Sequence, residues 1–120
     1  MDSLPNGLIV VAKRECPTCT LIEPLLTTLA HSKLPLTVFV QDSADYAAGL
    51  PNVVYDATLE TSFRLDIEIV PTLIRVESGI EVERTYGWQR DDWQRISGLA
   101  GLGENLPVIR AGCGSKTLDP

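Results

Sequence analysis

Cysteines, basic residues and long apolar runs are all scarce in this chain. Its 120 residues include 3 cysteines, an odd number that does not suit the paired disulfide framework of a small secreted protein. The 10 Lys and Arg residues against 16 Asp and Glu residues argue against nucleic acid as a partner, because binding phosphates requires clustered positive charge. The sequence shows neither an apolar run of membrane-spanning length nor a signal peptide. We therefore expect a cytoplasmic protein with no nucleic-acid or membrane partner.

The composition fits one compact domain, since 44% of the residues are hydrophobic. No glycine-rich phosphate loop and no serine-type catalytic motif occurs in the sequence. Gly, Pro and Ser become frequent after Ala100 and the apolar periodicity ends there. These patterns predict a domain over residues 1–100 and a flexible C-terminal tail over residues 101–120.

The apolar pattern predicts strands and helices in a defined order. Residues 8–12 and 36–40 are short apolar runs typical of strands buried on both faces, and residues 17–33 between them have helical periodicity. The later predicted elements are helical turns at 43–49, an extended piece at 53–55, a helix at 59–65, strands at 73–76 and 81–86, and a helix at 91–99. This order predicts an α/β fold with a mixed central sheet flanked by helices.

Two cysteines lie at the junction between the first strand and the first helix, in the motif Cys16-Pro17-Thr18-Cys19. A cysteine at a helix N-terminus is stabilised as the thiolate, so Cys16 is the predicted attacking thiol and Cys19 the thiol that resolves the mixed disulfide. The alternative is half of a zinc site. Zinc needs two more ligands, and the available Cys113 and His31 do not form a second closely spaced pair, so we expect no bound metal.

This arrangement resembles the thioredoxin-like superfamily over roughly residues 7–99. Besides the two cysteines, Pro24 falls where that family kinks the first helix, Val70-Pro71-Thr72 resembles its cis-proline loop, and Gly87 resembles the glycine beside its substrate groove. The resemblance implies a thioredoxin-like fold with a small insertion around residues 43–54. The substrate-binding residues that it implies are Pro17, Thr18, Val70, Pro71 and Gly87.

The activity implied by the resemblance is thiol-disulfide exchange without a bound cofactor. Its partners would be protein or small-molecule disulfides, together with a thioredoxin reductase or a thiol reductant. Two alternatives stay open. One is a thioredoxin-fold interaction or redox-sensing module without turnover, and the other is a glutaredoxin-like, glutathione-dependent reductase, since Pro17 after the first cysteine is common in that family.

The sequence also departs from the thioredoxin pattern. Glu15 replaces the tryptophan that usually precedes the first cysteine, while Val10 and Val40 replace a buried aspartate and its lysine partner. Since that aspartate is proposed to help deprotonate the second thiol, we expect slow resolution by Cys19. For Cys113, three roles stay open: reaching the active-site sulfurs, pairing with another chain, or none; the sequence favours an incidental exposed thiol.

Overall fold

The structure is a computed structural model that describes residues 4–116. The elements within these residues are, in order, β1 (Gly7–Ala12), α1 (Pro17–Ala30), β2 (Leu36–Val40), β3 (Val53–Tyr55), α2 (Glu60–Arg64), β4 (Ile69–Val70), β5 (Thr72–Glu77), β6 (Ile80–Tyr86), β7 (Trp88–Gln89), α3 (Arg90–Ser97), β8 (Ile109–Arg110) and β9 (Cys113–Gly114). No helix in this part of the chain is long and apolar enough to cross a membrane.

The central sheet has five strands in the order β3-β2-β1-β5-β6. Strand β1 lies in its middle, parallel to β2 and antiparallel to β5, and all six of its residues are buried. A continuous apolar strand of this kind is stable only where both faces of the sheet are covered. The predicted mixed sheet flanked by helices, with β1 and β2 as parallel neighbours, is therefore confirmed.

Helix α1 buries one apolar face against this sheet. Its fully buried apolar residues include Ile22, Leu26 and Leu29, spaced three and four residues apart as on one face of a helix. Pro17 occupies its first turn, where a missing backbone N–H costs little, and Pro24 lies inside it as predicted. The helix ends at Ala30, three residues before the predicted end at residue 33.

The predicted insertion contains turns and a strand. Residues 43–52 form bends and turns where the sequence predicts helical turns at 43–49, and β3 then joins the edge of the sheet parallel to β2. The backbone N–H of Ala47 donates to Glu23 Oε2 of α1 over 2.8 Å, and the Tyr46 hydroxyl donates to the Cys19 carbonyl over 2.5 Å. These side-chain contacts hold the segment against α1 without a local helix.

Residues 101–116 differ most from the prediction, because they pack against the domain where the sequence predicts a free tail. The indole N–H of the fully buried Trp88 donates to the Pro107 carbonyl over 2.6 Å, and Arg90 donates to the Leu106 carbonyl. Strand β8 then pairs with β7, and β9 pairs with β4. The segment gains order from these tertiary contacts, which apolar periodicity does not reveal. The rest of the predicted tail, residues 117–120, lies outside the described residues.

Candidate active site

The site lies at the C-terminal end of β1, where the chain turns into α1. Cys16 is the N-cap of α1, with an extended backbone (φ −153°, ψ 115°). The turn before it is fixed by Asp42, whose carboxylate accepts the backbone N–H groups of Arg14 over 2.6 Å and Glu15 over 3.0 Å. These two hydrogen bonds fix the turn, and the sulfur of Cys16 points toward the first backbone N–H groups of α1.

The sulfur of Cys16 lies in an environment that favours the thiolate. It accepts the backbone N–H of Cys19 over 3.4 Å and lies 3.7 Å from the Val70 carbonyl oxygen. Burial opposes ionisation, but hydrogen bonds from the Cys113 thiol, from Cys19 and from the Thr18 N–H outweigh it, so the pKa of Cys16 lies below its ordinary value. The sequence alone leaves the sign of this shift open, because Glu15 disfavours a nearby thiolate whereas Lys13 and Arg14 favour it. At neutral pH, Cys16 is the more reactive thiol of the motif.

The environment of Cys19 opposes ionisation of its thiol. Its side chain is completely buried, and its sulfur accepts the Lys13 backbone N–H over 3.5 Å. Burial raises the pKa of Cys19 well above its ordinary value, and the nearby Cys16 sulfur adds to the effect. Val10 and Val40 are also completely buried, so neither position supplies a polar group to the core. The motif therefore contains a thiol that ionises readily, Cys16, and a buried thiol that stays protonated, Cys19.

The loop at Pro71 forms the wall beside Cys16. The Val70–Pro71 peptide bond is cis, and Val70 is completely buried. The Pro71 carbonyl accepts the backbone N–H of Gly87 over 2.8 Å, and the Thr72 hydroxyl donates to the Ile69 carbonyl over 2.5 Å. Val70, Pro71 and Gly87, which are far from the motif in sequence, thus meet at one face of the molecule next to Cys16.

This face also carries a stretch of the C-terminal region, residues 111–115, which we call the groove segment. Its strand β9 is antiparallel to β4, with Cys113 opposite Val70 and Gly114 opposite Ile69. The Thr18 hydroxyl donates to the Ala111 carbonyl over 2.6 Å. Three of the predicted substrate-binding residues, Thr18, Val70 and Gly87, therefore adjoin the groove segment. The fourth, Pro71, lies next to Val70 and accepts the Gly87 N–H, and Pro17 is exposed at the start of α1.

Three thiols are present in the described part of the chain, and all are unpaired: Cys16, Cys19 and Cys113. Within residues 4–116, no group of three or more His, Cys, Asp or Glu side chains is arranged to hold a metal ion. The reactive groups that the site brings together are the three sulfurs and the polar groups around them.

Comparisons with known proteins give a structural match only. No family model matches the sequence, and neither does any curated protein. Among solved structures, MTB DsbF in its mixed oxidised and reduced forms aligns with a TM-score of 0.61 and 17% identity, covering 79% of this chain and 81% of that one. Thioredoxin f2 of Chlamydomonas reinhardtii aligns with a TM-score of 0.53 and 21% identity, covering 75% of each chain.

The chain has a thioredoxin-like fold. The fold expected from the resemblance is thus confirmed, and Cys16 and Cys19 have the CxxC spacing. Trp88, which follows Gly87, lies in the core because it is completely buried. The centroid of its ring is 5.4 Å from that of Trp93.

Sequence reasoning missed one contributor to the site and favoured an exposed position for another. Asp42 follows β2 and fixes the turn before Cys16, but a single aspartate after a strand is no specific signal. Cys113 is half-buried beside Cys16, although the sequence favours an incidental exposed thiol. The available signal was its position between Gly112 and Gly114, since glycines let a backbone approach another closely. That pattern alone identifies no target.

Proposed function

We propose that this protein is a thiol-disulfide oxidoreductase that uses Cys16 and Cys19. The observation that carries the proposal is the difference between the two thiols: Cys16 has a lowered pKa at the helix N-cap, and Cys19 is buried one turn further with a raised pKa. The Cys16 thiolate attacks a sulfur of the substrate disulfide and forms a mixed disulfide, and one substrate thiolate leaves and takes up a proton. Cys19 then loses its proton and attacks Cys16, which releases the second substrate thiol.

The residues around Cys16 support peptide disulfides as substrates. An extended peptide that displaces the groove segment from β4 can exchange backbone hydrogen bonds with Val70, a short form of strand addition, and this brings its cysteine next to Cys16. Thr18 adds a hydroxyl donor, and Pro17 is exposed at the rim of the site. Gly87 leaves room for a second backbone, because a Cβ there would lie 2.9 Å from the N atom of Gly112.

The electron donor would be a thiol reductant or a thioredoxin reductase. No bound cofactor is required, because the two thiols carry the electrons. Cytoplasmic location fits this cycle, since a reducing compartment keeps the dithiol available. Assays with glutathione and with thioredoxin reductase in parallel separate a glutaredoxin-like from a thioredoxin-like cycle: turnover with glutathione alone would assign the former.

Insulin reduction tests the proposed activity. We expect the wild type to accelerate reduction by dithiothreitol, Cys16→Ser to give the uncatalysed rate, and Cys19→Ser to slow turnover. Urea midpoints of the variants close to that of wild type would show that the fold is retained. Insulin reduction that survives Cys16→Ser would refute the assignment.

The groove segment already pairs with β4, and this favours a second candidate function, a redox-sensing module without turnover. In that case the groove segment would report the state of the dithiol, and a partner would bind only one redox state. An inactive wild type whose partner binding depends on oxidation would support this candidate over the enzyme.

A further inference from the structure

The groove segment lies where a substrate peptide would lie under the proposed function. It adds one short antiparallel strand to β4, with Cys113 directly opposite Val70. The Val70 carbonyl oxygen is in turn 3.7 Å from the Cys16 sulfur. A substrate that binds by strand addition would place its reactive cysteine at the same position. We propose that Cys113 is a third redox residue, held by the groove segment as an internal substrate, which forms a disulfide with Cys16.

The segment is anchored on both sides of Cys113. On one side, the Ala111 carbonyl accepts the Thr18 hydroxyl over 2.6 Å. On the other, the Gly114 carbonyl accepts the Lys13 ammonium group over 2.6 Å, and the backbone N–H of Ser115 donates to the Glu68 carbonyl over 2.9 Å. Anchors on both sides hold the Cys113 backbone in register with Val70 and raise the effective concentration of its thiol at Cys16.

A buried amide adds a further anchor. Gln41, which is 1% exposed, donates from Nε2 to the Ser115 hydroxyl over 2.6 Å, and its Oε1 accepts the Lys116 backbone N–H over 2.9 Å. Without the segment, the buried Gln41 would keep the hydrogen bond from Nε2 to the Ser62 hydroxyl, and its Oε1 would lose the Lys116 N–H, which is unfavourable for a buried amide. The segment therefore completes the polar interior of the domain as well as covering the groove.

The fit of the segment depends on a glycine. A Cβ built on Gly112 would lie 2.4 Å from the Val70 carbonyl oxygen, which is closer than two such atoms can approach. A Cβ on Gly114 would meet no atom within 4 Å. Neither residue has a positive φ, so alanine is compatible with the backbone at both positions. Alanine at Gly112 therefore tests the close packing alone, and alanine at Gly114 is its matched control.

The sulfurs are also suited to exchange. The Cys113 thiol is among the groups that stabilise the Cys16 thiolate, while burial and this same hydrogen bond raise the pKa of Cys113. In the reduced protein the proton therefore resides on Cys113. Once Cys16 is in a disulfide, its negative charge is gone and it no longer opposes ionisation of Cys113.

The proposed step is a thiol-disulfide exchange that needs no added oxidant. The Cys113 thiolate attacks the Cys16 sulfur of an existing disulfide, either the mixed disulfide with a small substrate or the Cys16–Cys19 bond. The Cys16–Cys113 bond forms, the older bond to Cys16 breaks, and the leaving thiolate takes up the proton that Cys113 gave up. The number of disulfides is unchanged. The product ties the groove segment to Cys16 covalently, so a peptide substrate can displace the segment only after this disulfide is reduced.

Reaction with 5,5′-dithiobis(2-nitrobenzoate), an aromatic disulfide, tests the step in the full chain. In Cys19→Ser, we expect Cys16 to release one thionitrobenzoate and Cys113 to release the second, leaving a monomer that carries no adduct and a Cys16–Cys113 disulfide by peptide mapping. In Cys19→Ser/Cys113→Ser, we expect one release and a retained adduct. Retained adducts in the single variant, or a disulfide-linked dimer, would overturn the proposal.

The glycine pair supplies the second measurement. In the Cys19→Ser background, Gly112→Ala should slow the second release by about tenfold or more, because the segment has to leave its register, whereas Gly114→Ala should leave it unchanged. Equal effects of the two substitutions would overturn the proposed register. Insulin reduction by the wild type is measured in parallel: its absence refutes the proposed function, whereas a retained adduct refutes only the role of Cys113.

Discussion

Replacing Gly103 by alanine tests whether residues 101–116 belong to the folded domain. Gly103 has φ +71°, and a Cβ there would lie 2.4 Å from two ring carbons of Trp88. The ring cannot move easily, because it is completely buried, packs against Trp93 at an interplanar angle of 54° and donates its N–H to the Pro107 carbonyl. The substitution therefore combines backbone strain with a steric clash.

Gly98 provides the control. Its φ of +76° is nearly the same, but a Cβ there would meet no atom within 4 Å. A left-handed alanine costs about 1–2 kcal/mol at either position, and overpacking adds about 1–3 kcal/mol at Gly103 alone. The stiffening of the unfolded chain by alanine is common to both variants and cancels in the comparison.

Urea unfolding measures the difference. With an m-value of about 1.5 kcal/mol/M, a gap of about 2 kcal/mol separates the two midpoints by about 1.3 M, with Gly103→Ala the less stable variant. Equal midpoints for the two variants would refute the packing of this segment on Trp88. A changed m-value would instead indicate that the cooperative unit has changed.

Three further predictions concern the site. Because the pKa of Cys16 is lowered and that of Cys19 is raised, alkylation by iodoacetamide should start at lower pH than for a free cysteine and modify Cys16 first; mass spectrometry checks this, and a midpoint at or above that of free cysteine contradicts it. Thr18→Val removes the hydrogen bond to Ala111, worth about 1 kcal/mol, and should speed amide exchange in the groove segment while α1 is unaffected; unchanged exchange contradicts it. Val10→Asp should speed disulfide reduction by restoring a carboxylate near the inner thiol, while lowering the urea midpoint because the new charge is buried and unpaired; an unchanged rate contradicts it.

Local patterns predicted the central part of the fold. The apolar runs of β1 and β2, and the three- and four-residue spacing along α1, follow directly from which faces are buried. The turn at Ser78-Gly79 was also predictable, since a two-residue hairpin requires positive φ, observed as 54° and 77°. Burial of one or both faces of an element requires apolar residues at a regular spacing, and such elements can therefore be predicted from the sequence.

The remaining parts depend on contacts that are distant in sequence. Residues 43–52 are held by Glu23 and by the packing of Tyr46 below the Arg14 guanidinium, which lies 5.0 Å from the ring centroid. The groove segment is held by Thr18 and Val70, and neither interaction has a periodic signature. Glycine-rich sequences are typical of flexible tails and of closely packed strands alike, so composition alone could not show that Cys113 lies in a packed strand.

The contact between Thr18 and Ala111 joins residues 93 positions apart, which has a consequence for folding kinetics. Helix α1 forms from local interactions, whereas a loop of that length closes late because its closure costs more chain entropy. During refolding, Cys16 is therefore accessible until the groove segment packs against the domain. Refolding of Cys19→Ser/Cys113→Ser, which has no second thiol to release an adduct, in oxidised glutathione should capture that interval as a glutathione adduct on Cys16. The yield should fall when the oxidant is added only after the native state has formed.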